Sequence, residues 1–332
     1  IVRGGNEVPA ENLLLSDRLL QNDGKGGFNV SGKASIPHMA QNGSCVRSAD
    51  FDGDGDLDLF VGTRSVPGAY GISPEQFLLE NNGNGVFKDC SDERSKGLRE
   101  VGMVTDARWM DYDQDGDPDL VVVGEWMNVC VFSNEGGYFK DITSRVGLEE
   151  TSGWWNCIRV DDIDRDGDLD LVGGNLGLNT ILKASRQEPV EMYVDDFDNN
   201  GSLEQVICAY HGGTSYPVAS LDQMAAQISG LKKKYPNSSD FGEKTAQDIF
   251  GKEKLDQSLQ KSAVLFESCI FLNNGDGKFE IQKLPAPAQF SPVRDILIHD
   301  FNADGIKDLV LVGNNYSVRP SYGRYDASYG WC

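Results

Sequence analysis

The chain has 332 residues, a formal net charge of −22, 39% hydrophobic residues and 38 glycines. That hydrophobic share can build a core, so the acidity is not that of a disordered tail, and it argues against nucleic-acid binding, which needs a basic footprint. No apolar run is long enough to cross a membrane as a helix, and the chain opens at Ile1 without a methionine or signal sequence, which reads as a mature or excised segment.

The first element in chain order is a hairpin: "LLQNDGKGGF" (Leu19–Phe28) reads as strand, Asn/Gly turn, strand. Next, "VRSA" leads as a strand into "DFDGDGDLDLFVG", where Asp50, Asp52, Asp54, Asp56 and Asp58 alternate ahead of an apolar run. Unpaired carboxylates at this spacing repel one another, so the stretch calls for a cation among them. A second hairpin, "LLENNGNGVF" (Leu78–Phe87), follows. The order then repeats. "TDARWM" feeds "DYDQDGDPDLVVVG", with Asp111, Asp113, Asp115, Asp117 and Asp119, and "VFSNEGGYF" (Val131–Phe139) supplies the hairpin. "CIRV" feeds "DIDRDGDLDLVGG", with Asp162, Asp164, Asp166, Asp168 and Asp170. A weaker fourth copy offers Asp196, Asp198, Asn200, Ser202 and Glu204, and the hairpin before it is reduced to something like "TILKASRQEPVEMYV".

An insertion at about 217–262, within residues 211–263, then interrupts the pattern. Ser220 with Gln223 forms a capping box and Thr245 offers a second cap, so a small helical excursion on the rim is expected. The pattern resumes with "FLNNGDGKF" (Phe271–Phe279) and "DILIH", and ends with a fifth loop carrying Asp300, Asn302, Asp304, Ile306 and Asp308. Each unit thus holds four short strands. Four-stranded antiparallel units repeated around an axis predict an all-β fold, a β-propeller, with five acidic blades visible in a ring of six or seven. A single propeller domain over 1–332, as a segment of a larger protein, is the expected organisation.

The acidic loop has the chemistry of a calcium site. Calcium takes six to eight oxygen ligands; side chains at positions 1, 3 and 5 supply some, glycine at position 6 permits the bend, and position 7 offers its carbonyl. A carboxylate at position 9 closes the loop: Asp58, Asp119, Asp170, Glu204 or Asp308. Flanking strand formers set it apart from a helix-flanked calcium loop. Up to five calcium ions are expected, bound more weakly by the less charged fourth and fifth loops. Magnesium rarely accepts an all-protein cage. Solvated acidic turns would leave the fivefold spacing unexplained. Seven cysteines are scattered, several within strand-like runs, and read as small buried hydrophobes.

The D-x-D-x-D-G-x-x-D loops followed by "LFVG" or "VVVG" resemble FG-GAP/VCBS repeats, the calcium-bearing blades of integrin-α-type propellers. "LLENNGNGVFKD", "GWWNCI", "GGNLGLNT" and "GRYDAS" resemble more narrowly the bacterial, Bacteroidetes-type VCBS-repeat proteins akin to cartilage acidic protein and the ASPIC/UnbV group. The resemblance implies acidic loops on one face and a ligand face opposite, carrying Arg64, Tyr70, Trp126, Trp154, Trp155, Asn156, Asn175, Asn179, Tyr316 and Arg319. Aromatic faces beside Asn and Arg donors suit a glycan or a peptide. Trp154 and Trp155 fit inter-blade packing equally well, and the asparagines beside glycines fit turns better. The function expected is a non-catalytic binding module that recognises a glycan or protein ligand, located extracellularly, in the periplasm or on the outer cell surface. A calcium-propeller polysaccharide lyase and an architectural spacer are the alternatives; His38, His211 and His299 form no convincing catalytic constellation.

Overall fold

Hairpins and apolar runs become antiparallel sheets in the computed structural model, which describes residues 3–316 and 325–328 apart from 6, 11, 33 and 34. The first hairpin is β1 (Leu20–Asn22) with β2 (Phe28–Val30). A four-stranded sheet follows in the order β3 (Asn42–Ala49), β4 (Asp58–Ser65), β5 (Phe77–Asn81), β6 (Phe87–Asp89). After a single helical turn, α1 (Ser91–Arg94), a second sheet is built from β7 (Met103–Met110), β8 (Asp119–Met127), β9 (Cys130–Asn134) and β10 (Phe139–Asp141). The short β11 (Gly153–Trp154) also pairs with β8.

β8 shows why the runs after the acidic loops are continuously apolar. Leu120 and Val122 point into a core shared with Phe60 and Leu78 of the first sheet. Val121 and Val123 point the other way, into a core with Trp155, Ile158 and Leu171. A strand buried on both faces needs no polar alternation. Gly124 marks where its backbone comes closest to β7: a Cβ there would lie 2.0 Å from the Met103 carbonyl oxygen.

The third sheet departs from the sequence expectation. It begins with β12 (Cys157–Asp161) and β13 (Asp170–Gly174), but its outer strands are β18 (Cys269–Asn273) and β19 (Phe279–Lys283). Between its halves the chain builds another sheet, from β14 (Val190–Asp195), β15 (Glu204–His211), β16 (Thr214–Pro217) and β17 (Leu259–Ala263), in the order β16-β15-β14-β17. Thus "FLNNGDGKF" completes the third unit, and "TILKASRQEPVEMYV" is no degenerate hairpin but the entry into the inserted sheet. The repeat and an interruption were legible; that the interruption runs from Gly174 to Cys269 and holds a sheet of its own was not, because strands adjacent in space here are distant in sequence. The insert also holds the helices α2 (Leu221–Ala225), α3 (Leu231–Lys234), α4 (Ser238–Gly242), α5 (Ala246–Phe250) and α6 (Lys252–Gln257). Both caps form capping boxes, Ser220 with Gln223 and Thr245 with Asp248. A final pair, β20 (Asp295–His299) and β21 (Asp308–Val312), frames the fifth acidic loop.

The first strands of successive sheets, β3, β7, β12 and β20, stand side by side and are tied by side-chain-to-backbone bonds. Ser44 Oγ donates to the Val104 carbonyl at 2.7 Å and Thr105 Oγ1 to that of Trp155 at 2.8 Å. Arg47 Nε donates to the Ala107 carbonyl at 2.8 Å, and Arg159 Nε to that of Ile296 at 3.0 Å. At their centre Asp106, 4% exposed, receives Arg47, Arg108 and Arg159.

Candidate metal-binding loops and ligand cleft

All five acidic loops share one backbone path. Position 6 is a glycine with φ between 85° and 99° in each. Position 4 is also left-handed: Gly53 in the first loop, and Gln114, Arg165, Asn199 and Ala303, at φ 58°–69°, in the others. Hydrogen bonds close this path. Asp50 accepts from the amides of Gly53 and Gly55 at 2.9 and 3.0 Å, and Asp196 from those of Asn200 and Gly201 at 2.9 and 2.8 Å. The position-5 side chain accepts from the position-7 amide, as Asp115 does from Asp117 at 2.9 Å.

The position-9 carboxylate latches each loop. Asp119 accepts the Tyr112 amide on one oxygen and the Asn134 amide on the other, both at 2.7 Å. Asp170 does the same with Ile163 and Asn273, both at 2.8 Å, and Asp58 with Phe51 and Asn81 at 3.2 and 2.8 Å. Asn134 and Asn273 then reach into the preceding sheet, where their Nδ2 atoms donate to the loop carbonyls of Phe51 and Tyr112 at 2.8 and 3.1 Å. The sequence reading missed these asparagines as tethers. Their signal was the Asn that opens each outer hairpin turn.

In four loops carboxylate oxygens converge to within 4.8 Å of one another and could hold a metal ion: Asp50, Asp52 and Asp58; Asp111, Asp113 and Asp115; Asp162, Asp164 and Asp170; Asp196, Asp198 and Glu204. The donor set fits an oxygen-seeking cation. Two position-3 oxygens, Oδ1 of Asp52 and of Asp198, are buried without a hydrogen-bond partner, as expected of atoms that face an ion rather than a donor. Burial pushes Asp58 and Asp119 up to about 6, against the pull of their backbone donors, and also raises Asp52, Asp113, Asp170 and Glu204. In the fifth loop Asp300, Asp304 and Asp308 form no such trio; Asn302 Nδ2 instead donates to Asp304 Oδ2 at 3.0 Å.

Position 7 uses its side chain for packing: Asp117 Oδ2 accepts the Gly136 amide at 3.0 Å, and Asp168 Oδ1 accepts from Gln114 Nε2 at 2.5 Å. The side chains of Asp56, Ser202 and Ile306 stand at the same position of their loops.

At the strand ends away from these loops, a cavity of about 470 Å³ opens between the sheets and the insert. Arg64, Tyr70, Trp154 and Asn156 of the expected ligand face line it. Trp126 sits just behind at 5% exposure, with φ 60°, and its Nε1 donates to Tyr70 Oη at 3.1 Å. Tyr70 donates in turn to Glu125 at 2.8 Å, and Arg64 pairs with the same carboxylate. Burial first, then the Glu125 charge, raises the Tyr70 phenol well above its ordinary range.

Other expected contacts are structural. Trp155 is fully buried, and its Nε1 donates to the Thr151 carbonyl at 2.9 Å. Asn175, fully buried, accepts the Trp154 amide at 3.0 Å and donates to the Leu265 carbonyl at 2.9 Å. Asn179 Nδ2 donates to the Phe290 carbonyl at 3.2 Å. Tyr316 is 70% exposed, and Arg319 lies outside the described residues. Glu125 and Arg294, both lining the cavity, were not foreseen.

Residues 12–61 and 111–173 match the FG-GAP-like repeat family, so the chain carries FG-GAP-like repeats across its first three acidic loops. It is similar, at 15% identity and a TM-score of 0.33 over 94% of this chain and 75% of that one, to a lectin of Agrocybe aegerita, described for its specific recognition of non-reducing terminal N-acetylglucosamine. No curated protein matches the chain.

Proposed function

We propose that the chain is a non-catalytic binding module of propeller type, braced by calcium at its acidic loops and presenting a ligand cleft at the opposite strand ends. The observation that carries this reading is the division of labour along the strands. Carboxylates gather at one end of four sheets, while an aromatic and cationic cavity opens at the other. Calcium fits better than magnesium, because the loops offer side-chain and carbonyl oxygens in a flexible cage. In this reading positions 1, 3, 5 and 9 and the position-7 carbonyl ligate the first four ions, and the fifth loop binds weakest. Ions held this way suit a calcium-rich setting: secreted, periplasmic or on the outer cell surface.

Two groups in the cavity bear on the lyase alternative. Glu125 is already engaged by Arg64 and Tyr70, and the Tyr70 phenol, raised well above its ordinary range, holds its proton and is no ready base. The test is a paired array of glycans and peptides with the calcium-loaded protein, run beside an assay for unsaturated uronate from acidic polysaccharides. Binding without product is the expected result. Unsaturated product would make the chain an enzyme.

A further inference from the structure

The cleft between the insert and the sheets carries more chemical information than its size. One wall comes from the insert and is mostly aliphatic: Ile207 on β15, Val218 after β16, and Met224 and Ile228 on or just after α2, with Gln205 and Gln227 as its polar members. The opposite wall comes from the sheets and is cationic. There Arg64 is neutralised by Glu125, but Arg294, just ahead of β20, makes no ion pair among the described residues. Its Nη1 donates to Asn156 Oδ1 at 2.6 Å, and Asn156 Nδ2 is itself tied to the Asn175 carbonyl at 3.2 Å. The guanidinium is therefore oriented by a fixed amide while its remaining N–H donors stay free of carboxylates. Burial and the nearby Arg64 charge push Arg294 down in pKa, against the opposing pull of the Glu125 charge. In a chain of net charge −22, this is an unusual place to leave a cation unmatched.

We infer that this cleft takes a short apolar peptide segment whose carboxylate, at a C-terminus or on an acidic side chain, pairs with Arg294 while its side chains lie against the aliphatic wall of the insert. The inference rests on the reading of the chain as a binding module and names the ligand class of that site. Charge complementarity selects the carboxylate, because a guanidinium fork pairs two N–H donors with its two oxygens. The aliphatic wall selects the rest. Sugar hydroxyls laid on Ile207, Val218 and Met224 would lose water and find partners only at Gln205 and Gln227, whereas Leu- or Val-like side chains gain by leaving water there. A cavity of about 470 Å³ has the size of ordinary ligand pockets and admits a few residues, not a folded domain. A second opening, lined by Ser44, Thr105 and Glu7, shares Arg64, Asn156 and Arg294 with it, so a bound segment has a way out past the first strands.

The test is a library of N-acetylated tripeptides built from Leu, Val, Ile, Met and Phe, made both as C-terminal acids and as C-terminal amides. Binding to the calcium-loaded full chain is followed by calorimetry, with tri-galacturonate as the glycan arm. The acids are expected to bind, the matching amides at least tenfold more weakly. Arg294→Gln is expected to lose binding of the acids by a similar factor, with its melting temperature unchanged because the side chain is solvent-reachable. Glu125→Gln, which frees Arg64, is expected to tighten the acids. Equal binding of acids and amides, indifference to Arg294→Gln, or binding of tri-galacturonate alone would overturn the inference. Binding of other ligands on the glycan and peptide array, unaffected by Arg294→Gln, would sink this assignment and leave the binding-module reading standing; an array that captures nothing would sink both.

Discussion

At the residue scale, Asp106 has the most demanding position in the molecule. One buried carboxylate serves three guanidiniums on two neighbouring strands and its own, and also accepts the amides of Ala107 and Ile158 at 2.9 and 3.2 Å. Removing one member of such a group leaves the others uncompensated, which costs more than the pairing itself contributes. Asp106→Asn is expected to destabilise the fold by about 3 kcal/mol, at the low end for buried pairs because the arginines keep some water. Urea unfolding measures this, and a loss below about 1 kcal/mol would mean that solvent already screens the cluster. The cysteines give a second residue-scale expectation. Cys45 is pushed up to about 11 by burial, and Cys90, Cys130, Cys157, Cys208 and Cys269 to about 12. All six are free and buried. At pH 8 almost none is thiolate, so Ellman's reagent should leave them untouched in the native protein and react with them in denaturant. Rapid native reaction of more than one thiol would contradict that burial; Cys332 lies outside the described residues.

At the scale of the element, the acidic loop carries its own backbone constraints. Its left-handed positions 4 and 6 and its amide-to-carboxylate bonds already fix the path. Non-glycine residues at position 4 carry strain of about 1 kcal/mol each. Ala303 has no side-chain bond to offset it, so Ala303→Gly is expected to stabilise the fold by roughly 0.5 kcal/mol, after the added chain entropy of glycine. A lower denaturation midpoint in that variant would show the loop relaxes otherwise. The raised carboxylates set a pH dependence. Asp58 and Asp119 hold their protons more tightly folded than unfolded, so without calcium they favour the native state below their unfolded values, and that help fades as pH rises towards about 6. Calcium bound as proposed would have to displace those protons. The gap in melting temperature between calcium-loaded and chelated protein is therefore expected to widen from pH 5 to pH 7; a constant gap would mean these groups do not bind the ion.

At the scale of the whole molecule, calcium removal tests the bracing: chelation is expected to lower the melting temperature at pH 7, and an unchanged midpoint would leave the loops without an ion. The scale also separates what could be read from the chain and what could not. The acidic loops, the Asn/Gly hairpins and the apolar strands after each loop were legible because each is a local pattern with a period. The capping box at Ser220 and the cap at Thr245 were legible for the same reason; that Asp248 completes a second box with Thr245 was not. What escaped was long-range. Arg47, Arg108 and Arg159 each stand three residues before the first aspartate of their loop, yet nothing in that spacing announces that they share Asp106. For Trp155, ligand contact and inter-blade packing stood level, and for Asn175 a turn stood ahead of a contact, since a Trp or Asn beside glycine reads alike on a rim and in a core. Glu125 and Arg294 had no motif of their own; only the insert, folding back across the strand ends, closes a cavity around them.

The interrupted third sheet has a consequence for how this protein comes into being. Leu171 must wait for Phe271 before its outer edge is paired, whereas Leu120 in the second sheet meets Phe132 almost at once. Closing a span of roughly a hundred residues instead of about a dozen costs around 2 kcal/mol more in chain entropy. While the intervening stretch emerges from the ribosome, β13 offers bare amides and carbonyls beside a fully buried-to-be Leu-Val pair, which is a template for wrong partners. Folding the insert first shortens the effective gap by drawing its two ends together: β14 and β17 pair from Val190 to Ala263. The insert is thus placed to act on the newborn chain as a clasp that brings the two halves of its host sheet within reach of each other.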